Sequence, residues 1–106
     1  MSKRYYDVEL RIFICGYEKV TTNRVCADSE EEAIIEGFAC EAHNLSATEV
    51  KKALELSLVN FDSYELDDLE FCYHLDRIVP LNEVKVMIDG VEMTTLLPDA
   101  DQKHYY

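Results

Sequence analysis

The chain has 106 residues, 48% of them hydrophobic, which suits one folded domain around one core and argues against global disorder. Ten Lys and Arg stand against 22 Asp and Glu, a formal net charge of −12 that opposes contact with nucleic acid or anionic lipid and favours basic proteins. No apolar run approaches the ~20 residues of a membrane helix. The opening Met1-Ser2-Lys3-Arg4-Tyr5-Tyr6 has no apolar signal segment, so a cytoplasmic location is expected.

Tyr6, Val8, Leu10, Ile12 and Ile14 alternate with Asp7, Glu9, Arg11 and Phe13, the period-two pattern of a half-buried strand. Gly16 and Tyr17 interrupt it. Residues 18–27 return as a second strand, with a bulge or a wide hairpin expected where alternation falters at Thr22 and Asn23. Asp28-Ser29-Glu30-Glu31-Glu32-Ala33 then opens a helix. Ser29 is its expected cap, with Glu32 as reciprocal partner, and the acids suit the positive helix start. Ala33, Ile34, Gly37, Phe38 and Ala42 form its apolar face. A second capping box, Ser46-Ala47-Thr48-Glu49, starts another helix with Val50, Ala53, Leu54, Ser57, Leu58 and Phe61 at helical spacing.

Residues 62–68 read as an acidic connector carrying Tyr64 and Leu66. Alternation of Leu69, Phe71, Tyr73, Leu75, Arg77 and Val79 with Glu70, Cys72, His74, Asp76 and Ile78 predicts a strand that Pro80 should stop. Residues 84–88, Asp89-Gly90 and residues 91–96 give the clearest hairpin signal, because a primed turn favours Asp-Gly. From about residue 98 the chain reads as a short tail. The order is ββααβββ in a single domain over residues 1–106. The class is α+β, with an antiparallel sheet packed against a helical pair.

The charge is unevenly distributed. Residues 1–27 hold five bases and three acids (+2), residues 28–76 two bases and fourteen acids (−12), and residues 77–106 three bases and five acids (−2). Two clusters stand out, Glu30, Glu31, Glu32 and Glu36 beside Asp62, Glu65, Asp67 and Asp68. A solvated helix start would account for the first alone. Their repetition around one helical pair suggests spaced carboxylates aimed at Lys and Arg of a partner. A calcium loop is not expected, since residues 62–70 lack the alternating oxygen ligands and central glycine. Seven tyrosines, several at ends and connectors, fit an interface role as well.

Catalytic signatures are missing. His43, His74 and His104 sit in no nucleophile motif, and Gly16, Gly37 and Gly90 form no phosphate loop, so no enzymatic activity and no cofactor are expected. Cys15, Cys26, Cys40 and Cys72 have largely apolar neighbours and read as reduced, part-buried thiols. Cys40 with His43, and Cys72 with His74, would make a tetrahedral zinc site only if they met in space. Their spacing is that of no zinc finger, and no metal is expected.

Residues 20–42, a strand running into Ala27-Asp28-Ser29-Glu30-Glu31-Glu32-Ala33, resemble the strand-to-helix motif of small mobile-element proteins, including the DpnD/PcfM-like group. The overall type, small, strongly acidic and without a catalytic motif, resembles phage anti-CRISPR and DNA-mimic antirestriction proteins. That resemblance implies an inhibitor in the host cytoplasm that occludes a basic nucleic-acid-binding groove of a defence complex. It transfers no individual residue. The competing expectation is a homodimeric structural or regulatory module joined through a sheet edge, its acidity serving only solubility.

Overall fold

The structure, a computed structural model, describes residues 3–100 and 103–105. Met1 and Ser2 at the start, and Asp101, Gln102 and Tyr106 of the expected tail, lie outside the described residues. Strand β1 (Arg4–Ile14) buries Tyr6, Val8, Leu10 and Ile12 on one face, as its alternation dictates. It pairs with β2 (Tyr17–Ala27) in one unbroken register from Ile14↔Tyr17 to Arg4↔Ala27. No bulge interrupts β2. Its link to β1 is tight, with Cys15 and Gly16 both at positive φ (44° and 88°), the signature of a primed two-residue turn.

Helix α1 (Glu30–Glu41) is capped by Ser29, whose hydroxyl accepts from the Glu32 amide at 3.2 Å. The Glu32 carboxylate reaches one residue further back than expected and accepts from the Asp28 amide. Ala33, Ile34, Gly37, Phe38 and Ala42 are buried, and a Cβ on Gly37 would lie 2.5 Å from Val8 Cγ1. Glycine is therefore what lets α1 approach β1 so closely.

Helix α2 (Ala47–Phe61) has the full capping box of Ser46 and Glu49. Hydrogen bonding of its carboxylate to the Ser46 amide, and then to the Ser46 side chain, holds the Glu49 carboxyl below its usual range. Val50, Leu54 and Ser57 are buried, but Phe61 is 70% exposed. One turn before it, the Ser57 hydroxyl donates to the Ser63 carbonyl and accepts from the Glu65 amide. The returning chain thus fills the space beside Ser57 and leaves Phe61 beyond the core.

The acidic connector contains a strand, β3 (Glu65–Asp68), with Leu66 and Asp68 turned inward. Leu69 sits in the following turn with φ 57° and is exposed, so it does not begin the next strand. That strand, β4 (Phe71–Ile88), runs straight through Pro80. Its neighbour β5 (Val91–Pro98) ends, and the short β6 (Lys103–His104) begins, on either side of Pro80, whose carbonyl accepts from the Asp99 amide. The missing N–H of Pro80 therefore falls in a gap of that ladder and costs no strand bond.

A bulge does occur, on β4. Glu9 pairs with Arg77 and Leu10 with Leu75, leaving Asp76 extra. Side chains change face there, so Tyr73 and Leu75 give way to Ile78 as the core residues. The antiparallel sheet has the order β2-β1-β4-β3, with β5 and β6 also on β4. The expected tail thus contains a short strand, Lys103 and His104 pairing with Ile78 and Arg77. The core lies between the sheet and the two helices, and the α+β class with its antiparallel sheet and helical pair is what the chain adopts. Among the described residues no helix is long and apolar enough to cross a membrane.

Candidate acidic binding face

The two faces of the sheet differ in how they handle charge. On the face away from the helices, carboxylates and guanidinium groups meet across strands. Asp7 accepts two bonds from Arg24 (2.8 and 3.1 Å), Glu9 accepts from Arg77 (2.8 Å), and Arg11 bridges Asp76 and Glu18. Arg4 adds a bond to Asp99 at 2.9 Å. Arg11, Arg24 and Arg77 thus each have a carboxylate partner on this face, and Arg4 has one beside the sheet. Such cross-strand pairs offset part of the negative charge of that surface.

The helical side is different. Glu31, Glu32 and Glu36 are exposed on α1 and Asp62 at the left-handed C-cap of α2, while Asp67 is exposed at the sheet edge on β3, on the outer face beside Cys72. None of these five makes an ion pair among the described residues. The other three expected contact residues are occupied or covered. Glu30 accepts from Lys103 Nζ at 3.1 Å and from the Tyr105 hydroxyl at 3.4 Å. Glu65 lies 3.2 Å from His74 Nδ1, and Asp68 is buried at 6% exposure beneath the β3–β4 turn.

Tyr64 joins the two clusters. Its ring packs edge-on against Tyr105, and with Glu31, Leu54 and Glu55 it lines one shallow hollow between the helices. Burial, then the charges of Glu31 and Glu30, push its phenol above the usual range. Glu31 and the start of β3 are therefore neighbours, although 33 positions separate Glu31 from Tyr64 in the chain.

Sequence reasoning missed the apolar part of this surface. Leu56 (62% exposed), Val59 (82%) and Phe61 (70%) project from α2, and Leu69 (84%) from the β3–β4 turn. Leu56 and Phe61 line a hollow with Glu65 and Asp67, and Leu56 and Val59 line the next with Glu55 and Lys52. The signal was present, since Leu56 and Val59 fall three apart and off the Val50–Leu54–Ser57 face. Carboxylates around exposed aliphatic and aromatic groups have the make-up of a protein interface, with an apolar centre and a charged rim.

The cysteine–histidine pairs do not converge. Among the described residues no group of three or more His, Cys, Asp or Glu is placed to hold a metal. Cys40 and Cys15 are exposed free thiols, not part-buried ones, because Cys40 falls on the outer side of α1 and Cys15 in the hairpin turn. Cys72 Sγ lies 3.2 Å from His74 Nε2, and with Glu65 this resembles a nucleophile, base and orienting acid in line. The electrostatics oppose that use. Burial, a hydrogen bond to Asp67 and the charges of Asp67 and Glu65 push the Cys72 thiol from 9.0 up to about 12, so it is held as a thiol at neutral pH. No family model, curated protein or solved structure matches the chain.

Proposed function

We propose that this chain is a non-enzymatic inhibitor that binds a nucleic-acid-binding defence complex, of the anti-CRISPR or antirestriction type, and covers its basic surface. The observation that carries the reading is the difference in pairing: Asp7, Glu9 and Asp76 are ion-paired to arginines on the sheet's outer face, while Glu31, Glu32 and Glu36 on α1, Asp62 at the end of α2 and Asp67 at the sheet edge make no ion pair among the described residues, and Leu56 and Phe61 are exposed on α2. A basic nucleic-acid groove offers the complementary potential, which steers encounter and fixes orientation. The apolar groups supply affinity that charge alone does not, since burying a Phe side chain contributes roughly 1.5–3 kcal/mol.

The test is affinity capture from cells carrying CRISPR and restriction systems, with wild type and a folded Glu31→Lys/Glu32→Lys/Glu36→Lys variant as baits. Capture of a nuclease or surveillance complex by wild type alone, weakening as salt is raised, is the expected result. Equal capture by both baits would refute the acidic face as the contact.

A further inference from the structure

Beyond Leu81, β4 and β5 leave the body of the molecule as a two-stranded ribbon, paired from Leu81↔Pro98 to Ile88↔Val91. The pairing of β1 with β4 ends at Tyr6↔Pro80, so among the described residues the ribbon has no third strand. An isolated two-stranded ribbon is at best marginally stable in water. Its two faces are unlike. Side chains alternate, so the face that carries Ile78 into the core continues outward as Val84, Val86 and Ile88, joined across the pair by Val91, Met93 and Leu97. Ile88, Val91, Met93 and Leu97 are each about half exposed or more (52%, 59%, 51% and 48%). The remaining members of this face, Asn82 and Thr95, are uncharged. Glu83, Lys85 and Glu92 all lie on the opposite face, where Lys85 and Glu92 pair at 3.3 Å.

We propose that the apolar ribbon face is a homodimer interface, in which two copies pack ribbon against ribbon about a twofold axis. Charge selects this occupant. Two copies of a chain at −12 repel wherever their carboxylates approach. The ionised groups nearest this face, Arg4 and Asp99 beside Asn82, are paired with each other and bring no net charge to the contact, and an apolar face is complementary to itself, as a twofold interface requires. A basic partner would meet here only the carboxylate of Asp99, which Arg4 already holds. Eight residues per strand span about 26 Å at ~3.3 Å each. Two such faces in contact bury on the order of 1,000 Å², the lower bound for a specific interface. The dimer is therefore in exchange with monomer, and it displays the acidic face twice.

The experiment is sedimentation equilibrium of the full chain over about 1–500 μM, a range bracketing the affinity of an interface this size. The mass should rise from 12.3 kDa toward twice that value, and more steeply as salt screens the mutual repulsion. Val86→Glu/Met93→Glu should remain at 12.3 kDa throughout, and Lys85→Glu, on the opposite face, should still dimerise. Should the double variant fail to fold, Thr95→Cys should give more disulfide-linked dimer than wild type under mild oxidation, and Thr94→Cys should not. A wild type that is monomeric across the range, or a folded double variant that dimerises normally, overturns the proposal. Salt separates this contact from the acidic one, because salt strengthens dimerisation and weakens binding to a basic partner.

Discussion

Lys103 on the last strand holds the carboxylate of Glu30, 73 positions earlier at the start of α1, at 3.1 Å. Glu30 looks in sequence like the first of three equivalent acids, yet it fastens β6 to the helix while Glu31 and Glu32 face solvent. Glu30→Gln should leave partner capture unchanged and loosen the chain end. Because Lys103 is more than half exposed and solvent screens the pair, the effect on global stability should be small. Hydrogen exchange at the Tyr105 amide, which donates to the Asp76 carbonyl, should accelerate. Loss of capture on this substitution would mean that Glu30 itself contacts the partner.

Gly37 is where helix and sheet come closest. Gly37→Ala places a methyl 2.5 Å from Val8 Cγ1, inside the core, where neither backbone can give way cheaply. Overpacking of this kind costs about 1–3 kcal/mol, to be read as a lower urea midpoint with an unchanged slope. Val8→Ala in the same background should recover part of the loss by making room. An unchanged midpoint in Gly37→Ala would show that α1 and β1 are not packed this tightly.

Cys72 gives a pH prediction. Its thiol is raised in the fold from 9.0 to about 12, so folding favours the protonated form. That contribution is complete below pH 9 and is lost as pH rises through 12, so alkaline solution should destabilise the protein over that window. Tyr64, Tyr73 and Tyr105, each raised chiefly by burial, act in the same direction. At pH 8, alkylation of Cys72 by iodoacetamide should run at least about 100-fold slower than that of an unperturbed thiol. Asp67→Asn should partly restore the rate. Fast alkylation of Cys72 in the folded protein would contradict the arrangement of Asp67, Cys72 and Glu65.

Local features were legible in the sequence. The alternation of Tyr6 to Ile12, the Ser29 cap, the box at Ser46 and the Asp89-Gly90 turn (φ 50° and 78°) depend on neighbours a few positions apart, and each forms as expected. What the sequence concealed is non-local. Pro80 looks like a stop until β5 and β6 are seen to leave a gap beside it, and the extra residue at Asp76 is visible only once β1 is aligned with β4. Among the acids, Asp68 was separable in principle. It alternates in phase with Leu66, which is 2% exposed, so period two already assigns both to the inner face. The pairing of Glu30 with Lys103 and of Glu65 with His74 carried no such signal.

The apolar centre of the acidic face yields a prediction that charge alone would not. Phe61→Ser removes an exposed ring from the end of α2, so stability should change by less than about 0.5 kcal/mol. Capture of the partner should fall at least tenfold, as expected for an aromatic anchor inside a charged rim. Titration calorimetry with the captured complex would check it. Undiminished affinity would reduce the contact to its carboxylates.

The most direct test of the central claim is displacement. The captured complex is loaded with labelled nucleic acid and titrated with wild type or with a folded Glu31→Lys/Asp62→Lys/Asp67→Lys variant, one substitution in each acidic segment. Release of the label by wild type and none by the variant is the predicted result. A variant that displaces nucleic acid as well as wild type, or a wild type that binds without displacing it, would contradict the account.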